Sequence, residues 1–247
     1  MVTILTPKLH SFERDEFIRE RFHYAPGEHV TFLAPTQTGK TTLKFQLMKE
    51  TISKQLKGVV LIMKPRDKVP DAWRKPLKLQ LTRDWPPPFL KRKGSDPPGW
   101  MVWPKHTFKP AEDDAHLQDV FERAIHSAYK KGNRVLDVDE ILGVTDELKM
   151  SRELQTLWSR GSSMGCGLWG GSQRPAKIPL LAYSSANHLF IGNTAEKRDR
   201  DRYREISGIG IDSEYLDDLV QKLGPHEWIY ICRNGPVMCH IKAAPKG

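Results

Sequence analysis

The run "EHVTFLAPTQTGKTTLKFQLMKETISKQL" constrains this chain more than any other stretch. It alternates, turns apolar through Leu33, breaks at a Gly/Thr loop and resumes with Phe45, Met48, Ile52 and Leu56 along one helical face. A buried strand, a tight loop and a helix in that order predict α/β architecture. The loop closes on Gly39-Lys40-Thr41, the end of the pattern G-x-x-x-x-G-K-[ST], yet Ala34 stands where the first glycine belongs. Phosphate binding needs consecutive backbone N–H groups, a helix N-terminus behind them, a lysine for the outer phosphates and a hydroxyl for a metal. Lys40 and Thr41 supply the last two. Gly39 lets the backbone come close, and the first position mainly requires a small side chain, which alanine provides if its backbone stays in an ordinary region.

The remaining pattern extends the same architecture. "GVVLIMK" reads as a second buried strand, "WMVWP" as a third, and "EDDAHLQDVFERAIHSAYKKG" as a helix with acids in its first turn and lysines in its last. "NRVLDVDEIL" and "CGLWGGSQ" read as further strands separated by a helix within "DELKMSRELQTLWSRG"; "NHLFIGN" is another strand. "TAEKRDRDRYREIS" and "DSEYLDDLVQKLG" read as helices, with Asp212, Asp217 and Asp218 capping and decorating the second. Asn234-Gly235 divides the last two strand-like runs into a hairpin. One domain over residues 1–247 is expected, with an extension at 1–27, an insertion at 64–99 and the hairpin at 225–243. Its sheet should be mostly parallel and flanked by helices, ending in an antiparallel pair.

A nucleotide site also needs a carboxylate at a strand end for the metal and a neighbour that orients water. "VLDVDEI" offers Asp139 for the metal and Glu140 as catalytic base. Asp137, inside the same strand, is costly to bury unless paired, and otherwise requires a polar crevice or a partly open strand.

Net charge is +9. Between Lys64 and Lys93 ten basic residues face three acids, a difference of +7 concentrated in a proline-rich segment that no regular element is expected to absorb. That balance points to a polyanionic partner, with nucleic acid first, held by a grip indifferent to sequence. Part of the segment is expected to face DNA; the alternatives are a solvated loop or a surface for a capsid partner. Trp73 and Trp85 are expected to anchor it rather than stack on bases, which a duplex hides. His106, His116 and His126, ten residues apart, do not form a ligand pair on one helical turn. Cys166, Cys232 and Cys239 lack a C-x-x-C pair, and neither a signal-peptide core nor a membrane-length apolar run is present. A soluble, cytoplasmic protein with no membrane partner is expected.

"GLWGGSQRPAKIP" narrows the field. A strand after the acidic strand that closes on Ser172, Gln173, Arg174 and Pro175 resembles the FtsK/HerA superfamily of DNA-translocating ATPases. The "PGEHV" lead-in, "LWSRGSSMG" and "NHLFIGNTAEKRDRDRY" add to the resemblance, which covers most of Tyr24 to Ser207. It implies a RecA-like P-loop NTPase core that binds ATP and Mg2+, assembles into a homo-oligomeric ring of five or six subunits, and moves double-stranded DNA. Ala34, Pro35, Thr36, Gln37, Thr38, Gly39, Lys40, Thr41 and Thr42 would hold the nucleotide, and Thr41 with Asp139 the metal. Gln173 would sense the γ-phosphate, since an amide can both donate and accept. Arg160 would act across a subunit boundary, with Arg152 and Arg174 as rivals. The compact layout resembles viral genome-packaging ATPases, in which a capsid portal or vertex protein would be a further partner. A cellular or conjugative DNA pump, a non-translocating assembly factor using ATP as a switch, and a P-loop kinase are the competing readings.

Overall fold

The computed structural model describes residues 9–88, 96–203, 212–235 and 237–245. Among the described residues ten strands form one sheet: β1 (His10–Phe12), β2 (Val30–Leu33), β3 (Lys57–Leu61), β4 (Gln80–Thr82), β5 (Gly99–Val102), β6 (Arg134–Val138), β7 (Cys166–Ser172), β8 (His188–Gly192), β9 (Trp228–Cys232) and β10 (Val237–Ile241). Their order is β1-β10-β9-β8-β2-β7-β6-β3-β5-β4. The expected α/β class holds: β9 pairs antiparallel with β8 and β10, which gives the antiparallel end of the sheet, and β1 with β10, β2 with β8, β4 with β5, β5 with β3, β3 with β6 and β6 with β7 are parallel.

Two compact units divide the chain. One holds residues up to His23, Val30–Lys40 and everything from Gly171 on; the other holds Tyr24–His29 and Thr41–Gly170. In the first, β2 and β8 are buried along their whole length and pair in parallel, Val30 with His188 through Leu33 with Ile191. Phe32 stacks on Phe190 at 4.8 Å, and Phe17 meets Tyr230 edge-on at the same distance, so an aromatic cluster sits within the core of this unit. In the second, β4, β5, β3, β6 and β7 are parallel neighbours, and continuous apolar runs such as Val59–Leu61 are buried as strands covered on both faces must be.

The Lys40–Thr51 helix is shorter than its hydrophobic pattern suggested, and Ile52 and Leu56 lie beyond it. Leu43, Phe45, Leu47 and Met48 are all buried, so the helix is covered well beyond a single stripe. The Pro110–Lys131 helix begins and ends as its charges require, with Glu112 and Asp113 in the first turn and Lys130 and Lys131 in the last. Asp212 caps the Ser213–Gln221 helix by accepting from the N–H groups of Glu214 and Tyr215. The helix expected within "TAEKRDRDRYREIS" is present over Lys197–Arg200; residues 204–211 lie outside the described residues.

The basic segment departs from expectation. It is not irregular throughout: a helix spans Lys68–Arg74, and β4 follows as an edge strand paired with β5. Pro70 does not prevent the helix because it falls in the first turn, where its missing N–H would have no intrahelical acceptor, and Pro76 follows the helix end. Asp67 starts the helix by accepting from the Val69 N–H at 3.1 Å. Trp85 is buried against Trp100, and Trp73 packs on Phe45, so both tryptophans anchor the segment. Lys91, Arg92 and Lys93 lie outside the described residues.

Candidate functional site

The phosphate-loop motif grows directly from β2. Ala34 is fully buried, and its N–H donates to the Ser172 carbonyl at 3.1 Å. Gly192 faces it on β8: a Cβ there would stand 2.8 Å from the Ala34 Cβ. The methyl group that replaces the usual first glycine therefore fits because the opposing strand has none. Positive φ occurs later in the loop, at Gln37 (62°) and Gly39 (87°), and Ala34 is not among such residues. Thr38 Oγ1 donates to the Pro35 carbonyl at 2.8 Å, and Lys40 Nζ donates to the carbonyls of Ala34 and Pro35 at 2.5 and 2.8 Å. Thr36 and Gln37 are exposed at the loop tip.

A contact that the motif did not reveal closes the loop from the side. His226 Nδ1 lies 3.1 Å from the Thr38 carbonyl, and a Cβ on Gly39 would meet that same nitrogen at 3.1 Å. The buried Arg14 guanidinium donates to the His226 carbonyl and ties this turn down. Gln37, Thr38, Asn193, Gly224 and His226 line a cleft beside the loop.

Gln173 follows the last residue of β7 and is half-buried. Ser172 Oγ accepts from the Arg174 N–H at 3.1 Å. The Arg174 guanidinium is engaged by Glu196 at 2.8 Å and by the buried Asp199 at 3.2 Å. Those pairs fix the "QRP" turn and occupy Arg174 within its own unit. Arg152 and Arg160 are exposed on the Ser151–Arg160 helix.

In the other unit, Thr41 Oγ1 donates to Asp139 Oδ1 at 3.0 Å, joining residues 98 positions apart. Lys44, one turn beyond Lys40, is buried; its ammonium lies 2.8 Å from Asp137 Oδ1 and 3.3 Å from Asp139 Oδ1. The pairing required of a buried Asp137 is thus present, through a lysine that belongs to no motif. Burial pushes the Asp137 carboxyl up to about 6 against the pull of Lys44. Burial acts on Asp139 in the same direction, but Lys44, Lys64 and the Thr41 hydroxyl outweigh it and hold that carboxyl below its usual range. Burial alone would lower the Lys44 ammonium; the two carboxylates outweigh it and raise it. Lys64 Nζ stands 3.6 Å from Asp139 Oδ2 and 3.3 Å from Asp67 Oδ2. Glu140 is half-buried in the turn that follows, its carbonyl accepting from the Val144 N–H at 3.4 Å.

No protein-family model matches the sequence, and no curated protein matches it. Solved structures do match the fold. B204, the DNA-packaging ATPase from Sulfolobus turreted icosahedral virus, superposes with a TM-score of 0.60 at 14% identity, covering 89% of this chain and 99% of that one. The genome-packaging NTPase B204 from Sulfolobus turreted icosahedral virus 2, in complex with AMPPCP, gives 0.58 at 16% identity over 88% and 98% of the two chains. This chain has the fold of those ATPases. The fold extends to the pCW3 conjugation coupling protein TcpA, in its monomer form with ATPγS, with a TM-score of 0.51 at 15% identity over 98% of this chain and 71% of that one. Among the described residues no helix is long and apolar enough to cross a membrane.

The donors present suit Mg2+. A hydroxyl and a carboxylate are hard oxygen ligands of the kind this ion takes alongside substrate phosphates and water. Thr41 gives its hydrogen to Asp139 and keeps lone pairs for a cation. Six basic residues of the described basic segment are exposed: Lys64, Arg66, Lys68, Lys75, Lys78 and Arg83.

Proposed function

We propose that this protein is an ATP-hydrolysing motor that moves double-stranded DNA, and that its task is to package a viral genome into a preformed capsid. The observation that carries the reading is the Thr41–Asp139 contact, which ties the phosphate-loop helix to the strand-end acid. The fold shared with a DNA-packaging ATPase, over nearly all of that chain, supports it.

In this reading the N–H groups of Pro35 to Gly39, proline excepted, surround the phosphates; Thr36 and Thr42 flank them, and Lys40 exchanges its loop carbonyls for the outer phosphate oxygens. Thr41 and Asp139 hold Mg2+, whose chemistry is to offset charge on the transferred phosphoryl group. Glu140 orients the attacking water and accepts its proton. Gln173, at the end of β7, registers the γ-phosphate by a rearranged hydrogen bond. Arg160 reaches a neighbouring subunit's site in a homo-oligomeric ring; it is preferred to Arg174, which Glu196 and Asp199 engage. The exposed lysines and arginines of 64–83 grip the duplex through its phosphates without reading bases. A portal or vertex protein docks the ring, and the motor works in the cytoplasm of a host cell. A conjugative DNA pump is the second reading, favoured by the fold likeness to TcpA.

Glu140→Gln tests the division of roles. Turnover is expected to fall by about a hundredfold or more, while a fluorescent ATP analogue binds as it does to the parent protein. Loss of binding together with turnover, or unchanged turnover, would remove Glu140 from this role.

A further inference from the structure

Thr41 and Lys44 lie three residues apart on one helix, so their side chains share a face and meet at the same atom, Asp139 Oδ1, at 3.0 and 3.3 Å. Asp139 Oδ2 meets a different environment, with the exposed Lys64 at 3.6 Å. One carboxylate oxygen is therefore held from the interior by two donors of a single helix, which fixes the plane of the group and directs the other outward. The Lys44 side chain is only 2% exposed and that of Asp137 0%, so the contact between these two is shielded from solvent.

Stability does not explain this arrangement. A buried ion pair loses hydration on both sides, and apolar side chains of similar volume usually serve a core as well or better. Asp137 points at Lys44 from the same strand that presents Asp139, two residues further on. It neutralises the lysine at a place where Lys44 can still reach the second acid.

We propose that Lys44 is a positioning residue for the metal-holding acid: from the helix that also presents Thr41 it orients the Asp139 carboxylate, and Asp137 holds the Lys44 side chain in place from the strand below. This rests on the nucleotide reading above, in which Asp139 and Thr41 hold Mg2+. It extends the site to Lys44, which belongs to neither motif, and to its partner Asp137.

The test compares Lys44→Met with the double variant Lys44→Met/Asp137→Leu. The single variant leaves a buried acid without its partner and is expected to melt well below the parent protein. The double variant replaces the pair with apolar groups and is expected to recover most of that loss. Mn2+ affinity in the presence of AMPPCP, followed through the EPR signal of the free ion, is expected to fall by about tenfold or more in the double variant despite its recovered folding. AMPPCP affinity without metal should stay within about threefold of the parent value, because the Lys44 ammonium is directed at Asp137 and Asp139 rather than at the loop carbonyls that Lys40 meets. Parent-like Mn2+ affinity in a folded double variant would overturn the proposal and leave Lys44 as a counter-ion for Asp137 alone. A double variant that fails to fold would also overturn it, by making the pair a structural requirement. If the parent protein binds neither AMPPCP nor Mn2+, the nucleotide reading itself falls, an outcome distinct from normal binding that is insensitive to Lys44.

Discussion

Ala34 and Gly192 share one space on neighbouring strands. The first glycine of the loop motif is replaced, and the room it would have left is supplied from β8. Gly192→Ala is expected to destabilise by about 1–3 kcal/mol. Ala34→Gly in the same chain should recover part of that loss, giving a coupling of at least about 0.5 kcal/mol in a urea-unfolding double-mutant cycle. Additive effects would mean that the two positions do not compete for volume. The contact of Thr41 with Asp139 joins two segments that the sequence singled out separately, because each kind of chemistry expected there has a fixed residue and spacing. Lys44 was not legible: a lysine one turn into a helix reads as solvated, and only the strand-end acids of a distant segment show why it is buried. His226 was hidden for a similar reason, since its contact with Thr38 spans 188 positions.

At the scale of elements, local pattern served the strands better than the basic segment. Prolines and lysines between Lys64 and Lys93 read as breakers, yet Asp67 caps a helix and Pro70 falls in its tolerant first turn. Composition cannot show which proline lands in which position until the cap is known. The segment 24–29 is likewise held by a buried side chain rather than by pattern. His29 Nδ1 accepts from the Leu168 N–H of β7 at 2.9 Å, and Nε2 lies 3.3 Å from Ser162 Oγ. Burial holds this imidazole neutral down to about 4. Since an unfolded histidine titrates near about 6.5, the unfolded chain binds the extra proton between those values. The contribution is complete above the upper value and is lost as pH falls toward the lower one. Between pH of about 7 and about 4.5 the parent protein should lose about 2 kcal/mol more unfolding free energy than His29→Gln, measured by urea titration at both pH values. Equal losses would place the His29 ring in contact with water.

For the whole molecule, strand alternation indicated the α/β class, and this chain shares its fold with the DNA-packaging ATPase B204 and the coupling protein TcpA. Partners are a different matter. Charge concentrated on exposed residues of 64–83 states the sign of what binds, and a ring requires surfaces that one chain cannot exhibit. The proposed motor therefore makes its sharpest claim in catalysis coupled to DNA. Steady-state ATP turnover in Mg2+, measured with and without long duplex DNA for the parent protein and for Lys40→Ala, tests that claim most directly. The account predicts parent turnover that rises with duplex of any sequence, loses its stimulation as salt increases, and falls by about a hundredfold or more in the variant. Turnover that is absent, indifferent to duplex DNA, or unchanged without the Lys40 ammonium would contradict it.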